Sequence, residues 1–155
     1  MAAAGSSAGP DSPTLKCTKL YHEKQVAALC AQHCLNNLVQ YPTFTVGDLL
    51  EYARALDERE RQLMMSHGAD TTDALKYLAE DSFNVDEAGN FSQGVLQEAL
   101  SKKYPSLRMD ETPETIDACM KNPTQFGGFI LNSSDHWYSI RRIGGHYWNL
   151  NSTMK

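Results

Sequence analysis

The sequence predicts an α+β protein in which an N-terminal helical part packs on an antiparallel sheet drawn from residues 127–151. Three observations predict it. Ala31, Cys34, Leu35, Leu38 and Val39 recur at i, i+3, i+4, i+7 and i+8, one apolar stripe of an amphipathic helix. From Gly127 onward the apolar period shortens to two, as strands require. Gly144-Gly145 then separates two alternating runs, the signal of a two-residue hairpin turn.

Taken in order, residues 1–15 are rich in Ala, Gly, Ser and Pro and carry nothing large to bury, so they read as a disordered leader. The folded unit is expected over 16–155. After the helix that follows Cys30, Tyr41-Pro42 breaks the pattern, and Thr45 reads as an N-cap with Asp48 three residues on. Val46, Leu49, Leu50, Ala53 and Leu56 continue as a helical stripe. Glu58–Arg61 and Asp57–Arg61 are spaced as ion pairs on a solvated helix. Ser66-His67-Gly68 interrupts it, so 45–65 is expected to be a helical pair or one long bent helix standing off the core.

A short helix over 71–79 would bury Ala74, Leu75 and Leu78, and 83–90 reads as a loop. Ser92 caps a helix with Val95, Leu96, Ala99 and Leu100 inward. Thr112-Pro113-Glu114 supplies a cap, Pro at N1 and an early acid for a helix with Ile116, Cys119 and Met120, where Cys119 reads most simply as packing. Strands follow at 127–131, 136–143 and 146–151. With a two-residue turn, Ile143 pairs with His146, Ile140 with Asn149 and Tyr138 with Asn151. His136, Tyr138, Ile140, Asn149 and Asn151 then share one sheet face.

Composition narrows the function classes. With 41% hydrophobic and 21% charged residues over 155 positions, one soluble domain can bury a core without disulfide staples. A net charge of −5, from 14 basic and 19 acidic residues, argues against nucleic acid and anionic membrane surfaces as partners. No apolar run is long enough to span a membrane, and the start lacks the charged and apolar regions of a signal peptide. Cys17, Cys30, Cys34 and Cys119 are therefore expected as free thiols in a reducing intracellular compartment.

Two places can carry chemistry. Cys30 lies at the helix start, on the margin of its apolar stripe, where unpaired N–H groups and the positive dipole end favour a thiolate. Gln25, five residues earlier, can offer an amide N–H to an oxyanion forming there. His136 and an asparagine on the facing strand suit a base whose tautomer the amide orients. The same residues read equally as a small buried hydrophobe and a wetted polar sheet face. Cys30 and Cys34 with His22 or His33 form a Cys-x3-Cys zinc candidate, but no second Cys/His pair follows it.

Cysteine on an early helix with histidine and asparagine on later strands is the order of papain-like cysteine hydrolases. HEKQ and LCAQHCLNNL, followed by DHWYSIRRIGGHYWNLNS, closely resemble the Josephin domain of the ataxin-three type of deubiquitinase. LDERERQLM and GNFS lie between them and are also similar. The resemblance implies a papain-like Josephin fold with a protruding helical hairpin over 45–67. Measured against the family, the chain ends before a further helix and strand, so a C-terminally shortened catalytic domain is expected.

The implied activity is that of a thiol protease cleaving (iso)peptide bonds at the ubiquitin C-terminus. Cys30 matches the nucleophile, His136 the general base, Asn151 its orienting residue and Gln25 the oxyanion donor. The resemblance implies no metal and no cofactor. Ubiquitin and polyubiquitin chains are the implied partners of a monomer in the cytoplasm or nucleus. A ubiquitin-binding module with weak or no turnover is the alternative.

Overall fold

The structure, a computed structural model, describes residues 2–5, 19–66 and 82–154. Its helices are α1 (Cys30–Val39), α2 (Val46–Ser66), α3 (Gln93–Lys103) and α4 (Pro113–Lys121). Its strands are β1 (Ala2–Gly5), β2 (Arg108–Asp110), β3 (Gly128–Ser133), β4 (His136–Ile143) and β5 (His146–Asn149). They form one antiparallel sheet in the order β2-β1-β3-β4-β5. The α+β class, with helices against an antiparallel sheet, is as the sequence reading has it.

One face of the sheet carries the main core. Ala31, Cys34, Leu35 and Leu38 of α1 are buried with Leu49 and Ala53 of α2, Val95, Leu96, Ala99 and Leu100 of α3, and Ile130 of β3. Each fully buried leucine contributes about 1.5–3 kcal/mol over an exposed one. Gly128 lets α1 settle on the sheet, because a Cβ there would lie 2.8 Å from the Ile140 carbonyl oxygen and 3.0 Å from Leu38 Cδ1. The opposite face is covered by Cys119 of α4, which packs with Phe129, Phe126, Leu131, Ile140 and Tyr147.

Caps set the helix boundaries where the sequence places them. Thr45 and Asp48 exchange bonds: the Asp48 N–H donates to Thr45 Oγ1 at 3.2 Å, and the Thr45 N–H to Asp48 Oδ2 at 2.8 Å. The Ser92 hydroxyl accepts from the Val95 N–H, and that of Thr112 from the Thr115 N–H ahead of Pro113. The expected register is observed, with Ile143 opposite His146 and Ile140 opposite Asn149.

Some expectations change. Ala2–Gly5, read as part of a disordered leader, forms the strand between β2 and β3. A strand slot is filled by backbone hydrogen bonds, and composition does not report those. Of the two alternatives for 45–65, the structure has the single long helix: α2 runs unbroken over Val46–Ser66, because Leu, Glu, Arg, Gln and Met offer no breaker before Ser66, and residue 67 of the segment given to the hairpin lies outside the described residues. The helix expected over 71–79 lies outside the described residues. Ile116 and Met120 are 37% and 74% exposed, since so short a helix presents only the Cys119 side to the sheet. Asp57 leaves Arg61 to Glu58 and accepts from Ser82 and Asn84 instead. β5 stops at Asn149, and β2 was not anticipated at all.

Candidate active site

Cys30 is the first residue of α1. Leu29 at the N-cap has no side-chain acceptor, so no side chain caps the N–H groups of the first turn. The thiol is only 3% exposed, deeper than a residue on the stripe's margin was expected to lie.

A second stripe on α1 is polar. His33, Asn36, Asn37 and Gln40 recur at i, i+3, i+4 and i+7 and clamp the segment that carries Gln25. The Asn37 amide accepts from the Glu23 N–H at 2.6 Å and donates to the Leu150 carbonyl at 3.0 Å. Gln40 brackets Tyr21, accepting from its N–H and donating to its carbonyl. His33 Nε2 accepts from the Val26 N–H at 3.4 Å, which leaves Nδ1–H to donate to Glu23 Oε2 at 2.6 Å. His33 is thus a buried structural histidine, occupied at both nitrogens.

The other half of the site comes from the β3–β4 and β4–β5 hairpins. Ser134 and Asp135, the two residues between paired Ser133 and His136, both have positive φ (52° and 60°). Ala27, two residues after Gln25, has φ 55°. A residue with a Cβ adopts this region at a cost of about 1–2 kcal/mol, and such positions gather around functional sites.

Past the end of β5, Asn151 Oδ1 accepts from the Thr153 N–H at 3.0 Å and the Thr153 hydroxyl at 2.9 Å. A backbone N–H can only donate, so the amide oxygen, not its nitrogen, occupies this position. His136 Nε2 lies 2.9 Å from the same oxygen and must therefore carry a proton. The tautomer follows: Nδ1 of neutral His136 holds the lone pair, and among the described residues no hydrogen bond occupies it. Asn149 accepts the Asn151 N–H at 3.1 Å and makes no bond to His136.

Gln25 is joined to the residue after Asn151. Its N–H donates to the Ser152 carbonyl at 2.8 Å, and the Ser152 hydroxyl donates to Gln25 Oε1 at 3.1 Å. His22 Nε2 lies 3.0 Å from the Asn151 carbonyl oxygen. Residues 22–25 and 151–152 are thereby laced together beside the start of α1.

Cys30 lies against the residue that precedes His136. Cys30 Sγ lies 4.0 Å from the carbonyl oxygen of Asp135, the residue before His136. Cys34, one turn further along α1, meets Ser139 on one face of β4, whereas His136 stacks on Tyr138 on the other, with ring centroids 6.2 Å apart. Burial pushes the Cys34 thiol upward, and the nearness of Cys30 adds to this. Among the described residues no three His, Cys, Asp or Glu side chains gather to hold a metal.

Of the four residues singled out in the sequence, the structure joins His136 to Asn151, ties Gln25 to the residue next to Asn151, and sets Cys30 against Asp135. Ser152 and the Glu23–His33 pair were missed. The second, polar stripe of α1 was a readable signal for the pair.

The family model described as Josephin matches residues 25–155. The chain is 38% identical to "Ataxin-3" of Homo sapiens over 135 residues, 87% of this chain and 37% of that protein. It is 42% identical to the "Putative ataxin-3 homolog" of Oryza sativa subsp. japonica over 137 residues, 86% and 40%. It is 39% identical to the "Ataxin-3 homolog" of Arabidopsis thaliana over 140 residues, 87% and 48%. The chain thus spans less than half the length of these curated relatives.

Proposed function

The chain belongs to the Josephin family, and from that premise we propose that it is a cysteine-type deubiquitinase, hydrolysing (iso)peptide bonds at the ubiquitin C-terminus. The observation that carries the reading is the bond from His136 Nε2–H to Asn151 Oδ1, which leaves Nδ1 available as a base, on the residue that follows the Asp135 carbonyl against which Cys30 lies. Cys30 Sγ attacks the carbonyl carbon of ubiquitin's terminal glycine, and its proton passes to His136 Nδ1. Gln25 Nε2–H and an uncapped N–H at the start of α1 receive the negative charge that develops on the carbonyl oxygen. The imidazolium then returns the proton to the departing amine, and the acyl–enzyme forms. His136 next takes a proton from water, which attacks the thioester and frees both ubiquitin and Cys30. No step calls for a metal or cofactor. The substrate implies action inside the cell, in cytoplasm or nucleus.

One observation favours a second reading, a ubiquitin-binding module without turnover: Cys30 is nearly buried and faces the Asp135 carbonyl rather than His136. Hydrogen bonds of this kind often tighten only once substrate is bound. Ubiquitin carrying a C-terminal electrophile separates the two. A covalent adduct that disappears in Cys30→Ala and persists in Cys34→Ala is expected. Binding without an adduct would leave the module, and an adduct surviving Cys30→Ala would remove the assignment of the nucleophile.

A further inference from the structure

Asn151 and Ser152 are consecutive, and each holds a different part of the site: Asn151 the imidazole, Ser152 the amide of Gln25. We propose that Ser152 is a positioning residue, its buried hydroxyl anchoring the oxygen end of the Gln25 amide so that the side chain stays aimed at the reacting carbonyl. The proposal deepens the deubiquitinase reading and rests on it for the role of Gln25.

Ser152 is 3% exposed, and its hydroxyl donates to Gln25 Oε1 at 3.1 Å. Gln25 Nε2 donates to the Ala27 carbonyl at 2.9 Å. That carbonyl can only accept, so it requires the nitrogen end of the amide, and the Ser152 hydroxyl must then be the donor at the oxygen end. The Gln25 N–H to Ser152 carbonyl bond, at 2.8 Å, keeps the two residues in register. One of the two Nε2 hydrogens is used by Ala27, and one remains for an oxyanion. An amide turned over would aim its oxygen at that oxyanion, replacing an attractive dipole with a repulsive one. Without the Ser152 donor, Oε1 has no partner among the described residues, and the amide is held at its nitrogen end alone, by Ala27. Ala27 is held at φ 55°, so the carbonyl that receives Gln25 is itself fixed by the loop before α1.

Two measurements on the full chain test this. In ¹H–¹⁵N spectra, the side-chain amide pair that vanishes in Gln25→Ala identifies Gln25. It is expected to shift in Ser152→Ala, where Oε1 loses its donor, and to stay in place in Ser152→Thr. A pair unmoved by Ser152→Ala overturns the proposal, whatever the chain hydrolyses. Should Ser152→Ala fail to fold, Ser152→Cys, similar in volume and a poor donor, gives the same reading. With ubiquitin carrying a C-terminal fluorogenic amide, Ser152→Ala is expected to lower kcat about tenfold and to move KM by less than about twofold. In a Gln25→Ala background it should cost nothing more, because it acts through Gln25. Additive losses in the double variant overturn the proposal. A wild-type chain that releases no fluorophore refutes the deubiquitinase reading instead, and the amide resonance then decides the role of Ser152 by itself.

Discussion

His136 and Asn151, fifteen residues apart, are joined by a hydrogen bond from Nε2–H to Oδ1 at 2.9 Å whose direction the Thr153 backbone N–H dictates. The β4–β5 register had already separated Asn151 from Asn149, and Asn149 is spent on the Asn151 N–H. Asn151→Ala is expected to lower kcat on a ubiquitin C-terminal fluorogenic amide about 10²-fold at nearly constant KM. Asn149→Ala should cost less than about fivefold, together with about 1 kcal/mol of stability from one lost bond. Equal losses would mean that the imidazole is not oriented by Asn151.

The histidines divide by what their rings touch. His136→Ala should reduce turnover by about 10³-fold, within the range for removal of a general base. His146, exposed beside the Gly144-Gly145 turn, should tolerate alanine within about twofold. His33→Ala removes the partner of Glu23 and the acceptor of the Val26 N–H, so its effect is on stability, about 1–3 kcal/mol in urea denaturation. A stable His33→Ala protein with no turnover would instead place His33 in the chemistry.

Cys34 ties stability to alkaline pH. Burial raises its thiol in the folded chain, while an unfolded cysteine ionises near about pH 8.5. The native state therefore keeps a proton that the unfolded chain releases. The stabilisation is fully present below that pH and is lost as pH rises above it. Urea midpoints are expected to fall from about pH 8.5 upward. Cys34→Ala should flatten that fall while lowering stability at neutral pH. The same slope in wild type and Cys34→Ala would assign the loss to other groups.

Gly128→Ala tests the contact between α1 and the sheet. Its Cβ would meet the Ile140 carbonyl oxygen at 2.8 Å and Leu38 Cδ1 at 3.0 Å, and the backbone atom cannot yield. A destabilisation of about 1–3 kcal/mol by urea titration is expected, in line with overpacking. An unchanged midpoint would show that α1 sits further from β3 and β4.

Elements whose signals are local were legible in the residues alone. The caps at Thr45, Ser92 and Thr112, the apolar stripe of α1 and the glycine turn each rest on side chains within a few positions of one another. The inward residues of α3, Val95, Leu96, Ala99 and Leu100, are all buried as their spacing requires. On α4 only Cys119, read as packing, is buried, while Ile116 and Met120 stay exposed, because spacing names a stripe but not how much surface stands ready to cover it.

The sequence by itself determined the order cysteine, histidine, asparagine, and with the turn length it determined the β4–β5 register as far as Ile140 opposite Asn149; the expected Tyr138–Asn151 ladder pair does not form, and Asn151 reaches His136 from past the end of β5. Alternation along a strand and a two-residue turn leave only one such register. Tertiary structure alone decided the rest. It placed Ala2–Gly5 between β2 and β3, turned the polar stripe of α1 into a clamp on residues 21–26, and brought Ser152 to Gln25 across 127 positions. Each of these joins backbone or amide groups far apart in the chain, and such groups occur at every position. Which of them meet is a property of the packed whole rather than of any local pattern.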